Sequence, residues 1–480
     1  MKTIILFILF IPIALTAQIK LKLSNEIVVN ENINLGYARP KISLLGNKTP
    51  IVMWSRRSNK EVFTAVFNGS GFNSPLQISP KGFDVFAQDW VGPHMVSNGQ
   101  IVYVTFESSV HANGYIYVVK STDGGASFGD TIRVSDESKS RFPTLGLAPD
   151  GTLYVAFMVF EAGDKDPHYA VSISKDGGKT FSKEIKATAA APGESCDCCP
   201  ANIIATNDKV ILFFRNNDND LRDVWASVSY DKGTTFTKSK KIDNSGWIVN
   251  SCPSSGPVGV SMSDSIVSVW MSANSGTPRV MIGTADYKNI GIGLNQNITS
   301  TVPSTTSQNF PIIAGQWDVY GIVWEEIKDG KRFIKFVAGD KGPSSLLNQT
   351  ALTVNVDTNS LAKNPHVVYS NGIFHITWAD NRTKKVYYRS ASIEGFTSIN
   401  KSAGNNTIAY PNPTNGIVKI ENSNSIKRII LKNNFGQVIR NYKTNNQSYF
   451  TLDLSNEMNG LYYLEYWTNN KNYIQKVLKF

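Results

Sequence analysis

The chain contains only four cysteines and five histidines among 480 residues. Four cysteines cannot be the main scaffold of a chain that is long enough to bury a large core unaided. Catalysis by a thiol needs a nearby imidazole, and the only histidines are His94, His111, His168, His366 and His375. Helical periodicity is missing from the body. After the N-terminus no segment approaches the roughly 18 apolar residues of a membrane helix. Concentrated positive charge is also missing. The formal net charge is +10, but residues 405–480 carry nine Lys or Arg against four Asp or Glu, and the rest is spread thinly with no basic run. Nucleic acid is therefore not an expected partner.

The two ends differ from the body. "MKTIILFILFIPIALTAQ" has one Lys, an apolar run broken by Pro12, and small residues at Thr16 and Ala17. It reads as a signal peptide over 1–17, with no transmembrane segment left after cleavage. The chain is thus expected to be secreted or held at the cell surface, where disulfides form. A polar linker at 399–407 leads into residues 408–480, where apolar residues alternate between Asn-Gly turns, the pattern of a small β-sandwich. Tyr410-Pro411-Asn412-Pro413, Gly416, Asn434-Phe435-Gly436, Gly460-Leu461-Tyr462 and the terminal Lys476-Val477-Leu478-Lys479-Phe480 resemble the type A sorting domain of type IX secretion. That resemblance implies the type IX machinery as a partner.

The body, residues 18–398, repeats. Pro40, Pro93, Pro143, Pro200, Pro257, Pro311 and Pro365 are spaced by 53, 50, 57, 57, 54 and 54 residues. Each precedes an aromatic by 13 or 14 positions: Trp54, Phe106, Phe157, Phe214, Trp270, Trp324 and Trp378. An apolar run, a turn and a second apolar run follow each proline, and a second pair of strands completes the unit. The proline fits the first residue of a strand, where no ladder donor is needed. Four strands per period of about 50 residues indicate an all-β, seven-bladed β-propeller, with six blades and one degenerate unit as the alternative. The last unit lacks a fourth strand, which "IKLKLSNEIVVN" near the N-terminus can supply.

"STDGGASF", "SKDGGKTF" and "SYDKGTTF" match the Asp-box, or BNR repeat, of the sialidase superfamily. Asp123, Asp176 and Asp231 are read as structural turn formers. Because strands alternate direction, these turns lie on the face opposite the one where ligands enter. Residues just before the prolines and just after the aromatics line the ligand face. That face should hold Cys196, Cys198, Cys199 and Cys252, "RNNDNDLRD" (215–223) and Trp247. For the cysteines we expect a disulfide from Cys252 to Cys196 or Cys198, with a second bridge, conceivably vicinal Cys198–Cys199. A thiolate metal site and a reactive thiol are the alternatives. Asp218 and Asp220 offer oxygen ligands at Ca²⁺-like spacing, against the plainer reading of a solvated loop.

The sialidase resemblance implies arginines that hold a carboxylate by bidentate forks. Arg39 and Arg141 sit beside repeat prolines, and Arg215, Arg222 and Arg279 follow second strands. We take Arg39, Arg141, Arg215, Arg222 and Trp247 as candidate substrate-binding residues. No nucleophile or acid/base carboxylate can be assigned, although Asp84, Asp89 and Glu107 fall in the relevant region. The expectation is a propeller directed at an extracellular glycan or glycoprotein, without a cofactor, acting as an exo-glycosidase of sialidase type. A non-catalytic binding propeller and a metal or redox site on the cysteines are the competing readings.

Overall fold

The computed structural model describes residues 19–394 and 409–479, short internal segments excepted. The signal peptide, the linker and His111 lie outside the described residues. The chain divides into two compact units, residues 1–395 and 396–480.

The first unit is built from seven antiparallel sheets, one for each repeat. Their inner strands are Ala38–Leu44, His94–Asn98, Arg141–Leu147, Asn202–Ala205, Val258–Ser261, Ser307–Gln316 and Ala362–Ser370. Each inner strand touches the next, and the seventh touches the first, so the sheets form a closed ring of blades. Blade 7 borrows its fourth strand from the N-terminus, where Leu21, Lys22 and Leu23 pair with Ile393, Ser392 and Ala391. The seven repeat aromatics are all buried. They fill the space between blades, where each large ring removes on the order of 150–250 Å² from water.

The prolines behave in two ways. Pro93, Pro200 and Pro257 precede their strands, as expected. Pro40, Pro143, Pro311 and Pro365 instead lie within theirs, at a bulge where the register with the second strand slips. The residue before each of these four has positive φ: Arg39 at 48°, Phe142 at 56°, Phe310 at 50° and Asn364 at 52°. Such backbone is costly for residues other than glycine and is retained where the surroundings over-determine it.

The Asp-boxes are one motif built three times. Ser174 Oγ donates to Asp176 Oδ1 at 2.8 Å and accepts from Gly178 N at 2.8 Å. Asp176 then accepts from Thr180 N at 3.0 Å and from Thr180 Oγ1 at 2.6 Å. Asp123 and Asp231 repeat these bonds with Ser127 and Thr235. The boxes also clamp neighbouring blades. Gly233, at φ 86°, lies so close to Tyr154 of blade 3 that a Cβ would stand 2.8 Å from its ring. Gly124 N donates to Gln100 O at 2.9 Å, which sets the boxes on the side of the turns between first and second strands.

The Thr180 hydroxyl and N–H hold the Asp176 carboxyl well below the usual carboxylate range. A depressed folded pKa contributes stability above the unfolded value of about 4, and that contribution is lost as pH falls below it. Asp176→Asn should therefore flatten the fall in Tm between about pH 5 and pH 3, the range on either side of that value. An unchanged pH profile would remove the box from the acid response.

The second unit is a sandwich of a three-stranded and a four-stranded sheet. Val418, Ile420, Ile429, Leu431, Leu452, Leu464 and Val477 fill its core. Among the described residues no helix is long and apolar enough to cross a membrane.

Candidate functional site

Three of the four bulges, those of blades 1, 6 and 7, bring Arg39, Phe310, Lys363 and Asn364 to one mouth of the ring. Arg39 Nη1 donates to the Asp89 carbonyl at 3.4 Å, and its guanidinium lies 5.7 Å from the centre of the Phe310 ring. Asn364 Nδ2 donates to the same Asp89 carbonyl at 2.6 Å. Lys363 Nζ, buried, pairs with Asp89 Oδ1 at 2.6 Å and lies 5.4 Å from the Tyr37 ring. Thus blades 1, 6 and 7 converge on the segment that leads into blade 2. Two buried atoms in the cluster lack hydrogen-bond partners among the described residues, the donor Arg39 Nε and the acceptor Asn364 Oδ1. Burial lowers the Arg39 pKa to about 10, opposed by Glu325 and Asp89.

Glu325 sits directly beneath. Its Oε1 accepts from Asn364 N at 2.6 Å and its Oε2 pairs with Arg332 Nη1 at 3.4 Å. Burial pushes its carboxyl up to about 7, against the opposing pull of the Asn364 N–H and Arg332. Only 1% of Glu325 is exposed, whereas the Asp89 side chain is 36% exposed.

Glu325 follows the repeat aromatic Trp324, and that position has a common task in three blades. Glu107, after Phe106, accepts from Phe142 N at 3.1 Å. Arg215, after Phe214, donates from Nε to Ser255 O at 3.2 Å. In each case a buried charged side chain grips the lead-in to the next blade. Glu107 is therefore a buttress for the Phe142 bulge rather than an exposed acid.

Arg215 is a correction to the sequence reading. It is 0% exposed, and besides Ser255 it donates to Arg222 O at 2.6 Å and Met271 O at 2.7 Å. Its fork is used by main-chain carbonyls inside the wall, so it offers nothing to a substrate. Trp247, buried, has its ring centre 5.3 Å from that guanidinium. Arg222 is buried too, bonded to Val249 O at 3.4 Å and facing Asp220 at 3.7 Å. These three residues therefore do not line an open pocket. Arg279, also buried, donates to Thr306 O and Pro303 O. Arg141 is half-buried, 4.4 Å from the centre of the Phe160 ring. Of the nominated residues, Arg39 alone belongs to the cluster at the mouth.

The cysteines take a definite pairing. Cys198 bonds to Cys252 and ties the lead-ins of blades 4 and 5 together. This pairing excludes a vicinal Cys198–Cys199 bridge. Cys196 and Cys199 are buried with their sulfurs 2.7 Å apart. The Cys199 thiol, with Arg215 and Arg222, draws the Cys196 pKa down to about 7, while burial pushes that of Cys199 up. Cys196, Cys198 and Cys199 form a group of three sulfurs close enough for one metal ion. Cys198 is consumed by its bridge, however, and two thiols are too few for a closed thiolate site. Asp218 and Asp220 form no such group: Asp218 accepts from Asn219, and Asp220 is faced by Arg222.

One further set of positions is legible only after the fold is known. The residue following each repeat proline lies at the inner edge of its blade. On one side of the ring these are His366, Lys41, His94 and Thr144, and on the other Ala201, Val258 and Ile312. Leu145 N donates to His94 Nδ1 at 3.3 Å, and Ile42 N donates to His366 Nδ1 at 3.3 Å. Both rings therefore carry their proton on Nε2. Sequence reasoning found the two histidines but passed over Lys41, Lys363, Asn364 and Glu325. The signal was their fixed offset from a repeat proline or aromatic.

Residues 91–283 match the BNR repeat-like domain, and residues 408–479 match the secretion system C-terminal sorting domain. No curated protein matches the chain. A protein of unknown function from Dyadobacter fermentans is similar over 78% of this chain and 99% of its own, at 14% identity and TM-score 0.47. An α-L-arabinofuranosidase of Fusarium graminearum is similar over 66% of this chain and 97% of its own, at 13% identity and TM-score 0.46. A subtype N10 neuraminidase-like protein of A/little yellow-shouldered bat/Guatemala/060/2010 is similar over 78% of this chain and 98% of its own, at 10% identity and TM-score 0.38. The sorting domain directs export by type IX secretion to the cell surface or the extracellular space. The chain is thus an all-β propeller that contains a BNR repeat-like region over residues 91–283 and carries a secretion system C-terminal sorting domain over residues 408–479.

Proposed function

We propose that this exported propeller recognises extracellular glycans at the mouth formed by Arg39, Asp89, Phe310, Lys363 and Asn364. The observation that carries the reading is the buried donor Arg39 Nε and the buried acceptor Asn364 Oδ1, both without protein partners. Leaving such groups unbonded costs roughly 1–3 kcal/mol each, which a bonded ligand recovers. A sugar supplies hydroxyls for both, and its C–H face suits the ring of Phe310. The test is a glycan array probed with the mature protein, followed by calorimetry on each hit. Arg39→Met should weaken binding at least about tenfold, equivalent to 1.4 kcal/mol. Absence of any retained glycan would sink the proposal.

Hydrolysis of exo-sialidase type is the second reading, favoured by the Glu325 carboxyl, which burial raises to about 7. An acid of that strength suits protonation of a leaving group. Two features weigh against it. Glu325 is sealed beneath the bulge and bonded to main chain, and glycosidases need two carboxyl groups that reach the scissile bond. Turnover of a fluorogenic glycoside, abolished by Glu325→Gln, would favour catalysis over binding alone.

A further inference from the structure

We infer that Lys41, His94 and His366 form a carboxylate-binding site at the inner edge of the ring. The inference deepens the glycan reading by naming its sugar class as acidic, and it depends on that reading only for the sugar. The inner strands of blades 7, 1 and 2 are neighbours, and each carries one of these residues directly after its repeat proline. His94 and His366 use Nδ1 to accept main-chain N–H groups, which leaves both Nε2–H donors unused. Both residues are half-buried. Lys41 is only 9% exposed, and its ammonium has no ion-pair or hydrogen-bond partner among the described residues.

A buried amine without a counter-charge is costly, because desolvation is not repaid. The positions after the other four prolines supply no carboxylate, being Thr144, Ala201, Val258 and Ile312. The acids that act on neighbouring Arg39, Asp89 and Glu325, are engaged by Lys363 and Arg332. A ligand that brings a negative charge would repay that cost by holding Lys41 as the ammonium. A carboxylate is the ligand group that accepts from an ammonium and from Nε2–H groups alike, and no cation suits a set of donors.

The site couples binding to protons. The groups that face Lys41 are Arg39 on its own strand, His94 from blade 2 and His366 from blade 7. Burial lowers the Lys41 pKa, and burial followed by Lys41 lowers those of the two histidines. A carboxylate favours the charged form of each, so its arrival takes up protons and its affinity rises as pH falls.

The experiment is calorimetric titration of the mature protein with acetate, glucuronate and glucose at pH 6 and pH 8. Acetate and glucuronate should bind, glucose should not, and affinity should be at least severalfold higher at pH 6. Lys41→Met should abolish acetate binding without lowering Tm, because it replaces a lone buried charge by an apolar chain. His94→Asn keeps an acceptor for Leu145 N but loses the Nε2 donor, and should weaken acetate severalfold. Acetate binding without glucuronate binding supports the carboxylate site and counts against the glycan reading. Glycans that bind the mouth while acetate does not bind overturn the carboxylate site and leave the glycan reading standing. Unchanged acetate affinity in Lys41→Met also overturns it.

Discussion

Arg215→Met should lower the unfolding free energy by about 4 kcal/mol, read as a fall in the urea midpoint at constant slope. Arg215 is fully enclosed and donates to the carbonyls of Ser255, Arg222 and Met271. Methionine refills part of the volume but bonds none of them. Each buried carbonyl left alone costs roughly 1–3 kcal/mol, and the bonds lost are charge-assisted. The damage should be local in origin, at the seam where blades 4 and 5 meet. Arg222→Met provides the comparison, since Arg222 Nη1 already lacks a partner. Its cost should be nearer 1 kcal/mol, that of a single hydrogen bond. If both variants lost the same small amount, Arg215 would not be the clasp described above.

The second large effect concerns the cysteines. Intact mass of the mature protein should show two disulfides, Cys198–Cys252 and Cys196–Cys199, the second forming by oxidation of the neighbouring thiols outside the cytoplasm. Peptide mapping should recover both pairs, and thiol-reactive reagent should add nothing to the unfolded, unreduced chain. Labelling of Cys196 and Cys199 under those conditions would refute the second bond. The first bond links positions 54 residues apart. On chain-entropy grounds Cys252→Ser should then cost up to about 4 kcal/mol. The substitution should also loosen the lead-ins of blades 4 and 5 before it affects the distant blades, which hydrogen exchange resolves.

The ring was readable because its evidence is periodic. A proline and an aromatic at constant offset, repeated seven times, specify where each inner hairpin starts and which ring it buries. The Asp-boxes were readable because the whole motif is local: Ser, Asp and Thr bond to each other within a few residues. The Cys198–Cys252 bridge was half legible, since the lead-ins of adjacent blades had to be close while the partner among Cys196 and Cys198 stayed open.

The site was much less legible, for two physical reasons. Charge alone does not say which way a side chain points. Arg39 and Arg215 both look like ligand-binding arginines at blade ends, yet one remains at the mouth and the other bonds three carbonyls within the wall. Polar clusters in a ring also come from residues hundreds of positions apart. Lys363 and Asp89 are paired across 274 residues. Nothing near Asp89 in the sequence announces that lysine. The bulges compound this, because Arg39 and Phe310 owe their placement to a positive φ that their residue types disfavour.

The strand Leu21–Leu23 matters beyond the three residue pairs it forms with blade 7. A linear stack of repeats behaves as a one-dimensional array, in which end units fray and partly unravelled states are populated. Joining the two ends abolishes end units. No blade can then detach without breaking an interface on both sides, so the seven units melt as one cooperative body. The N-terminal strand thereby helps turn a modular sequence into a propeller that unfolds as one unit.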